Sequence, residues 1–147
     1  MKKKLVSHII APAIGPYSQA IQFGDLIFTS GQIPMDMEGN LRGNDIKSQT
    51  RIVLQNITHL LEDNHSSVQN AVKVTVYLTD MNNFSAMNEV YSEYFSDSLP
   101  ARTTYFSDSL PARTTVEVSR LPKDVLVEID CIAHVNVKKG LLGKLGK

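Results

Sequence analysis

Residues 71–95 read AVKVTVYLTDMNNFSAMNEVYSEYF, and the period of the apolar residues changes halfway through. Over 71–79 the chain alternates: Val72, Val74, Val76 and Leu78 share one face, and Lys73, Thr75, Tyr77 and Thr79 the other. That is the period of a half-buried strand. From about Asn82 to Phe95 the spacing is helical, with Asp80 or Asn82 as opener and Phe84, Met87, Asn88, Tyr91 and Phe95 on the buried stripe. Asn88 stands out. A buried amide without a partner costs about 1–3 kcal/mol, so Asn88 is either a satisfied core or interface amide or a ligand-facing group.

Upstream, DIKSQTRIVLQNITHLLED (45–63) predicts a helix with Asn44 or Asp45 as N-cap and an apolar stripe of Ile46, Val53, Leu54, Ile57, Leu60 and Leu61. QAIQF (19–23) and LIFTS (26–30) flank Gly24-Asp25, the signature of a tight hairpin, and 34–44 reads as a loop. Downstream, RTTVEV (113–118) and VLVEIDCIAHVNV (125–137) predict two strands. In the latter, every odd position from Val125 to Val137 is apolar. The even positions mix Leu126, Glu128, Asp130, Ile132, His134 and Asn136. A second sheet face that is half apolar and half charged predicts contact with another surface, such as a second subunit.

The chain of 147 residues carries 15 Lys+Arg against 15 Asp+Glu, one Cys, no Trp and 42% hydrophobic residues. That composition suits one domain with a tail and argues against disorder, a coiled coil or a phosphate-gripping protein. A single cysteine forms no intramolecular disulfide and favours a reducing compartment. No apolar run approaches the roughly 20 residues that cross a bilayer. Lys2–Lys4 followed by LVSHIIAPA imitate a secretion signal, but Ser7 and His8 interrupt the short apolar stretch. The expectation is a first strand there and a cytoplasmic protein. KKGLLGKLGK (138–147) reads as a basic flexible tail on a single domain spanning 1–137.

YFSDSLPARTT occupies 94–104 and recurs letter for letter at 105–115. Tyr94-Phe95 completes the second helix, and Arg113-Thr114-Thr115 runs into the following strand, so the surplus falls in the connection. Lengthening such a loop from about five to about sixteen residues costs on the order of 1 kcal/mol. Only Arg113 leads into VEVSRLPKDVLVEID. Arg102 is therefore expected in a solvated loop.

No GxSxG elbow, GxxxxGK[ST] phosphate loop or GxGxxG fingerprint is present, and the four histidines are scattered without metal-ligand spacing. Cys131 lies on the apolar strand face, where a thiol is inert. What remains is a site without metal or cofactor, built from an arginine, a carboxylate and small hydroxyl or backbone donors. Composition does not single that site out among the surface charges.

Five stretches do: APAIGPYSQA (11–20), LIFTSGQIPMD (26–36), QTRIVLQNI (49–57), VKVTVYLTDMNNFSAMNEVYSEYF (72–95) and PARTTVEVSRLPKDVLVEIDCIA (111–133). In these the chain resembles the RidA (YjgF-like) reactive-intermediate enamine/imine deaminases over nearly its whole length. The resemblance implies an α+β, chorismate-mutase-like domain, a mixed sheet packed by two helices on one face. It further implies a homotrimer with sheets inward and a ligand cleft between subunits. The implied activity is hydrolysis of 2-imino acids such as 2-iminobutanoate and 2-iminopropanoate to 2-oxo acids and ammonia. The family's carboxylate-binding arginine falls on Arg113 and its water-positioning acid on Glu128. Tyr17, Ser30 with the Gly31 backbone, Asn88 and Thr115 fall on cleft positions. Thr115 departs from members with Cys there, which puts thiol chemistry at that position in doubt.

Taken alone, the residues leave alternatives open. Arg113 alone is more often a surface or interface ion-pair partner, Tyr17 is readable as packing beside Pro16, and Ser30-Gly31 as a strand end. Glu128 and Asp130 share a strand face, and the pattern does not choose between them. Two rival functions stand beside the enzyme: a non-catalytic regulator that binds small carboxylates, and RNA-directed inhibition of translation. Neutral net charge and the absence of a basic-aromatic pattern count against nucleic acid.

Overall fold

Gly24 adopts φ +59°, and the two-residue turn it forms with Asp25 sets Phe23 opposite Leu26. β2 (Ala20–Phe23) thus folds back on β3 (Leu26–Thr29), as the hairpin spacing predicts, and β1 (Lys2–Leu5) pairs outside β2. The computed structural model describes residues 1–96 and 110–136. After β3 come α1 (Ile46–Glu62), β4 (Ala71–Leu78), α2 (Phe84–Tyr94), β5 (Ala112–Glu117) and β6 (Val127–His134). The strands form a six-stranded sheet in the order β1-β2-β3-β6-β4-β5. All neighbours are antiparallel except β4 and β5, which are parallel and joined through α2. The fold is α+β with a mixed sheet.

Asp45, not Asn44, caps α1: its carboxylate accepts from the Ser48 amide at 2.8 Å, and the Ser48 hydroxyl accepts in return from the Asp45 amide at 3.3 Å. The predicted stripe of α1 is buried throughout. It packs with Met87 and Tyr91 of α2 over one face of the sheet, against Ile27, Val74, Val76, Leu78, Val127, Ile129, Cys131 and Ala133. The helices run side by side in the same direction, with Lys47 paired to Glu89 and Arg51 to Glu93. These exposed pairs add little; apolar burial holds the layers together. Cys131 is buried on the apolar strand face, as expected, and burial pushes its thiol up to about 12.

Three boundaries differ from expectation. Val72 does not share the inner face. Between Ala71 and Lys73, two steps along β4 oppose one along β6, and this bulge turns Ala71 inward and Val72 outward. The Asp80 carboxylate caps a 3-10 turn over Met81–Asn83, so α2 proper begins at Phe84, and Val90 joins its buried side. Val125 is buried yet precedes β6. The basic tail (138–147), Val137, Arg102 and the surplus of the duplication lie outside the described residues. Among the described residues no helix is long and apolar enough to cross a membrane.

The bulge gives a direct test. Val74 is 0% exposed and Val72 47%. Val74→Ala is expected to lower the unfolding free energy in urea by about 2 kcal/mol, and Val72→Ala to change it by less than about 0.5 kcal/mol. Equal losses would mean that unbroken alternation runs through Val72.

Candidate functional site

The residues expected to form one site fall into two groups. Arg113 pairs with Val74 and Thr115 with Val76 across the parallel β4–β5 ladder, so both share the helix-covered face. Because α2 is the crossover into β5, its Phe84–Asn88–Tyr91 face lies against this edge strand. Arg113 Nη1 donates to Asn88 Oδ1 at 2.7 Å, and its guanidinium carbon sits 4.5 Å from the Tyr91 ring centre and 5.5 Å from that of Phe84. Such stacking holds a cation without neutralising it. Among the described residues no carboxylate lies within 4.0 Å of that guanidinium. Tyr91 Oη and Thr115 Oγ1 are buried without a hydrogen-bond partner among the described residues. Burial pushes the Tyr91 phenol up to about 12, against the opposing pull of Arg113's charge, so it stays a donor. Asn88 is half-buried, and its oxygen serves Arg113 rather than the core.

Glu128 belongs to the second group. It lies opposite Tyr77 on the antiparallel β4–β6 ladder, which puts it on the uncovered sheet face. Between Phe28↔Ile132 and the isolated bridge Gln32↔Ile129, four steps on one strand oppose three on the other. The extra residue kinks the chain at Ser30-Gly31 and carries the Gly31 backbone onto the Glu128 side chain. A methyl group at Gly31 would lie 2.0 Å from Glu128 Oε1. Ser30 is fixed by its hydroxyl, which donates to the Ser18 carbonyl at 2.5 Å, and by its amide, which donates to the Gln19 carbonyl at 2.9 Å. Tyr17, Ser30, Gly31 and Glu128 line a cleft of about 570 Å³, with Asn56 and Lys123 on its wall. Tyr17 is exposed, and its hydroxyl accepts from the Ile14 amide at 3.4 Å. Burial, then the charge of Asp130, raises the Glu128 carboxyl above its ordinary value.

The structure therefore brings Arg113 together with Asn88 and Thr115, and Glu128 with Tyr17, Ser30 and Gly31. Within one chain it does not bring the two groups together. The aromatic clamp of Phe84 and Tyr91 went unread as a site feature, since helical spacing marks both residues as core. Lys123 and Asn56 come to the cleft from a turn and a helix flank that carry no local signal. Among the described residues no cluster of His, Cys, Asp and Glu is arranged to hold a metal ion.

The family model described as Endoribonuclease L-PSP matches residues 8–135. A RutC family protein of Pyrococcus abyssi is 54% identical over 104 residues, 69% of this chain and 82% of that protein. A mouse protein named 2-iminobutanoate/2-iminopropanoate deaminase is 42% identical over 102 residues, 68% of this chain and 76% of its own. Among solved structures, Escherichia coli TdcF with bound serine superposes with a TM-score of 0.79 at 36% identity, covering 91% of this chain and 99% of that one.

Gly31→Ala separates position from stability. The atom that a methyl would strike is the far end of a side chain, so unfolding free energy should change by no more than about 1 kcal/mol. The Glu128 carboxylate, however, must leave its place. A crystal structure of the variant with Glu128 unmoved would refute the close approach.

Proposed function

The chain belongs to the RidA/YjgF-like family, and from that premise we propose that it hydrolyses reactive 2-imino and enamine acids, 2-iminobutanoate and 2-iminopropanoate among them, to 2-oxo acids and ammonia. The observation that carries the reading is the stacked Arg113 guanidinium with no carboxylate partner among the described residues, beside two unpaired buried hydroxyls. A planar fork of this kind binds a substrate carboxylate through two parallel charge-assisted bonds. Tyr91 and Thr115 offer it further donors. The naming of a 42% identical relative as a 2-imino acid deaminase supports the substrate class.

Glu128 supplies the proton transfers. Water adds to the protonated C=N carbon while Glu128 takes a proton from it. Returning that proton to nitrogen makes the amine a leaving group; as the carbinolamine collapses, Glu128 takes the hydroxyl proton, the C–N bond breaks, and the 2-oxo acid and ammonia form, the ammonia leaving as ammonium with that proton. The raised carboxyl matches this duty, because a base works best with its pKa near the working pH. Placing the water over the imine carbon contributes through orientation.

Arg113 and Glu128 project from opposite sheet faces, with β4 between their strands. A second copy of the chain is the simplest way to unite the two groups. In the reading we favour, three chains pack their uncovered faces inward, burying Phe28, Ile132 and Val116, and each cleft takes Arg113 from one subunit and Glu128 from its neighbour.

With 2-iminobutanoate generated in situ, Arg113→Ala is expected to lower kcat/KM by more than about tenfold, losing about 2–5 kcal/mol of charged contact. Glu128→Gln should lower kcat by about 10²–10⁴ with KM little changed. Mixing the two inactive variants, unfolded and refolded together, should restore part of the activity, since some clefts regain both residues. Mixtures as inactive as their components would place the site within one chain and end the intersubunit reading. A variant pair that both retain the wild-type rate would end the assignment of Arg113 and Glu128, and a wild-type protein without measurable deamination would end the deaminase reading.

A further inference from the structure

Glu128 is one corner of a polar cluster on the uncovered sheet face. Tyr77 lies directly across the ladder from it, and Asp130 follows it by two residues on the same face. The Tyr77 hydroxyl donates to Asp130 Oδ2 at 3.1 Å. Lys73, four residues before Tyr77 on that face, donates to Thr114 Oγ1 at 2.6 Å and acts on Asp130 through its charge. Within one chain the groups facing Glu128 are thus Tyr77 from β4 and Asp130 from β6, with Tyr17 and Lys123 on the wall of its cleft; in the three-chain reading Arg113 of the partner subunit joins them in wild type and variants alike.

We propose that Asp130, two residues along the same strand face from Glu128 and held by the Tyr77 hydroxyl, is a positioning residue for the proton transfers of Glu128. This rests on Glu128 being the proton-transfer group of the proposed reaction. The tether matters in two ways. It fixes the Asp130 carboxylate on the Tyr77 side, so the carboxylate does not turn into the cleft to compete for the water. It also favours the ionised form of Asp130, as does Lys73, against the burial that disfavours it. An ionised Asp130 then disfavours ionisation of Glu128, the second cause of that carboxyl's upward shift after burial. Tyr77 is in turn raised by burial first and by Asp130's charge second, so it remains a donor through the neutral range. Two carboxylates in step along a strand are electrostatically unfavourable, and the tyrosine and lysine keep the pair in place.

The direction is fixed by charge. Removing the Asp130 charge lets Glu128 ionise more easily, so its titration moves to lower pH. The test is a 13C titration of the Glu128 carboxyl in the full chain without substrate, assigned by Glu128→Gln, alongside the acid limb of kcat/KM. In Asp130→Asn the midpoint is expected to fall and the acid limb to follow it, with a lower plateau rate. Tyr77→Phe should shift the midpoint in the same direction, because Asp130 then keeps its proton to higher pH, and adding it to Asp130→Asn should produce no further shift. An unchanged or higher midpoint in Asp130→Asn overturns the proposal, as does a rate lowered equally at every pH. A midpoint that falls in a protein with no deaminase activity upholds the coupling and defeats the reaction. A Glu128-dependent deaminase whose midpoint ignores Asp130 does the reverse.

Discussion

Every residue from Lys73 to Leu78 of β4 pairs with β5 on one side and β6 on the other, so the strand's alternation is copied into both neighbours. Val74 and Val76 place Arg113 and Thr115 under the helices; Tyr77 places Glu128 on the opposite face. Register in such a sheet is not adjustable by small amounts, since a slip of one residue exchanges the faces of a whole strand. Here it would put Arg113 on the uncovered face and Thr114 under α2. The fully buried Val74, Val76 and Leu78 hold β4 against that slip. The separation of the cationic and acidic groups therefore follows from the core.

The two faces also prepare the two ionisable groups in opposite ways. Arg113 meets aromatic rings and an amide oxygen, surroundings that fix the guanidinium with no counter-charge among the described residues. Glu128 meets a glycine backbone, a tyrosine across the ladder and a second acid, surroundings that make its charge costly. A cation lacking an anion and an acid that resists ionising are each less stable than alternatives of the same size. The tightly packed layer of α1 over β6 and β4 offsets that cost, which lets two such groups sit at the sheet's edge and beside its kink.

Much of this was legible in the sequence where one period persists over several turns or residues. The α1 stripe and the odd positions from Val127 to Ala133 are buried as their spacing predicts. Val72 was misread because a bulge is a backbone event; valine suits an outward position as well as an inward one. Asn88 was legible as an anomaly, an amide in an apolar stripe, but its partner lies 25 residues away and is met only through the crossover. Choosing Glu128 over Asp130 is likewise beyond pattern, since both occupy the same face. They are told apart by Gly31, which approaches one, and Tyr77, which binds the other. Both contacts are long-range.

The duplication poses the same question of register in its sharpest form, because the eight residues leading to Arg113 recur ahead of Arg102. The β5 contacts that distinguish the two copies lie beyond the repeated unit, which ends at Thr115. Glu117 Oε1 accepts the Met81 amide at 2.8 Å, closing the polar end of the turn before α2, and the Val118 amide donates to the Leu78 carbonyl at 2.8 Å. Were the first copy in the ladder, Phe106 would stand at the Glu117 position and Ser107 at that of Val118. A phenylalanine has no acceptor for the Met81 amide. Parallel pairing is slightly weaker per residue than antiparallel, so an edge strand of six residues has little to spare for such a loss. Unique residues after the repeat, not the repeated ones, thus select which arginine faces Asn88.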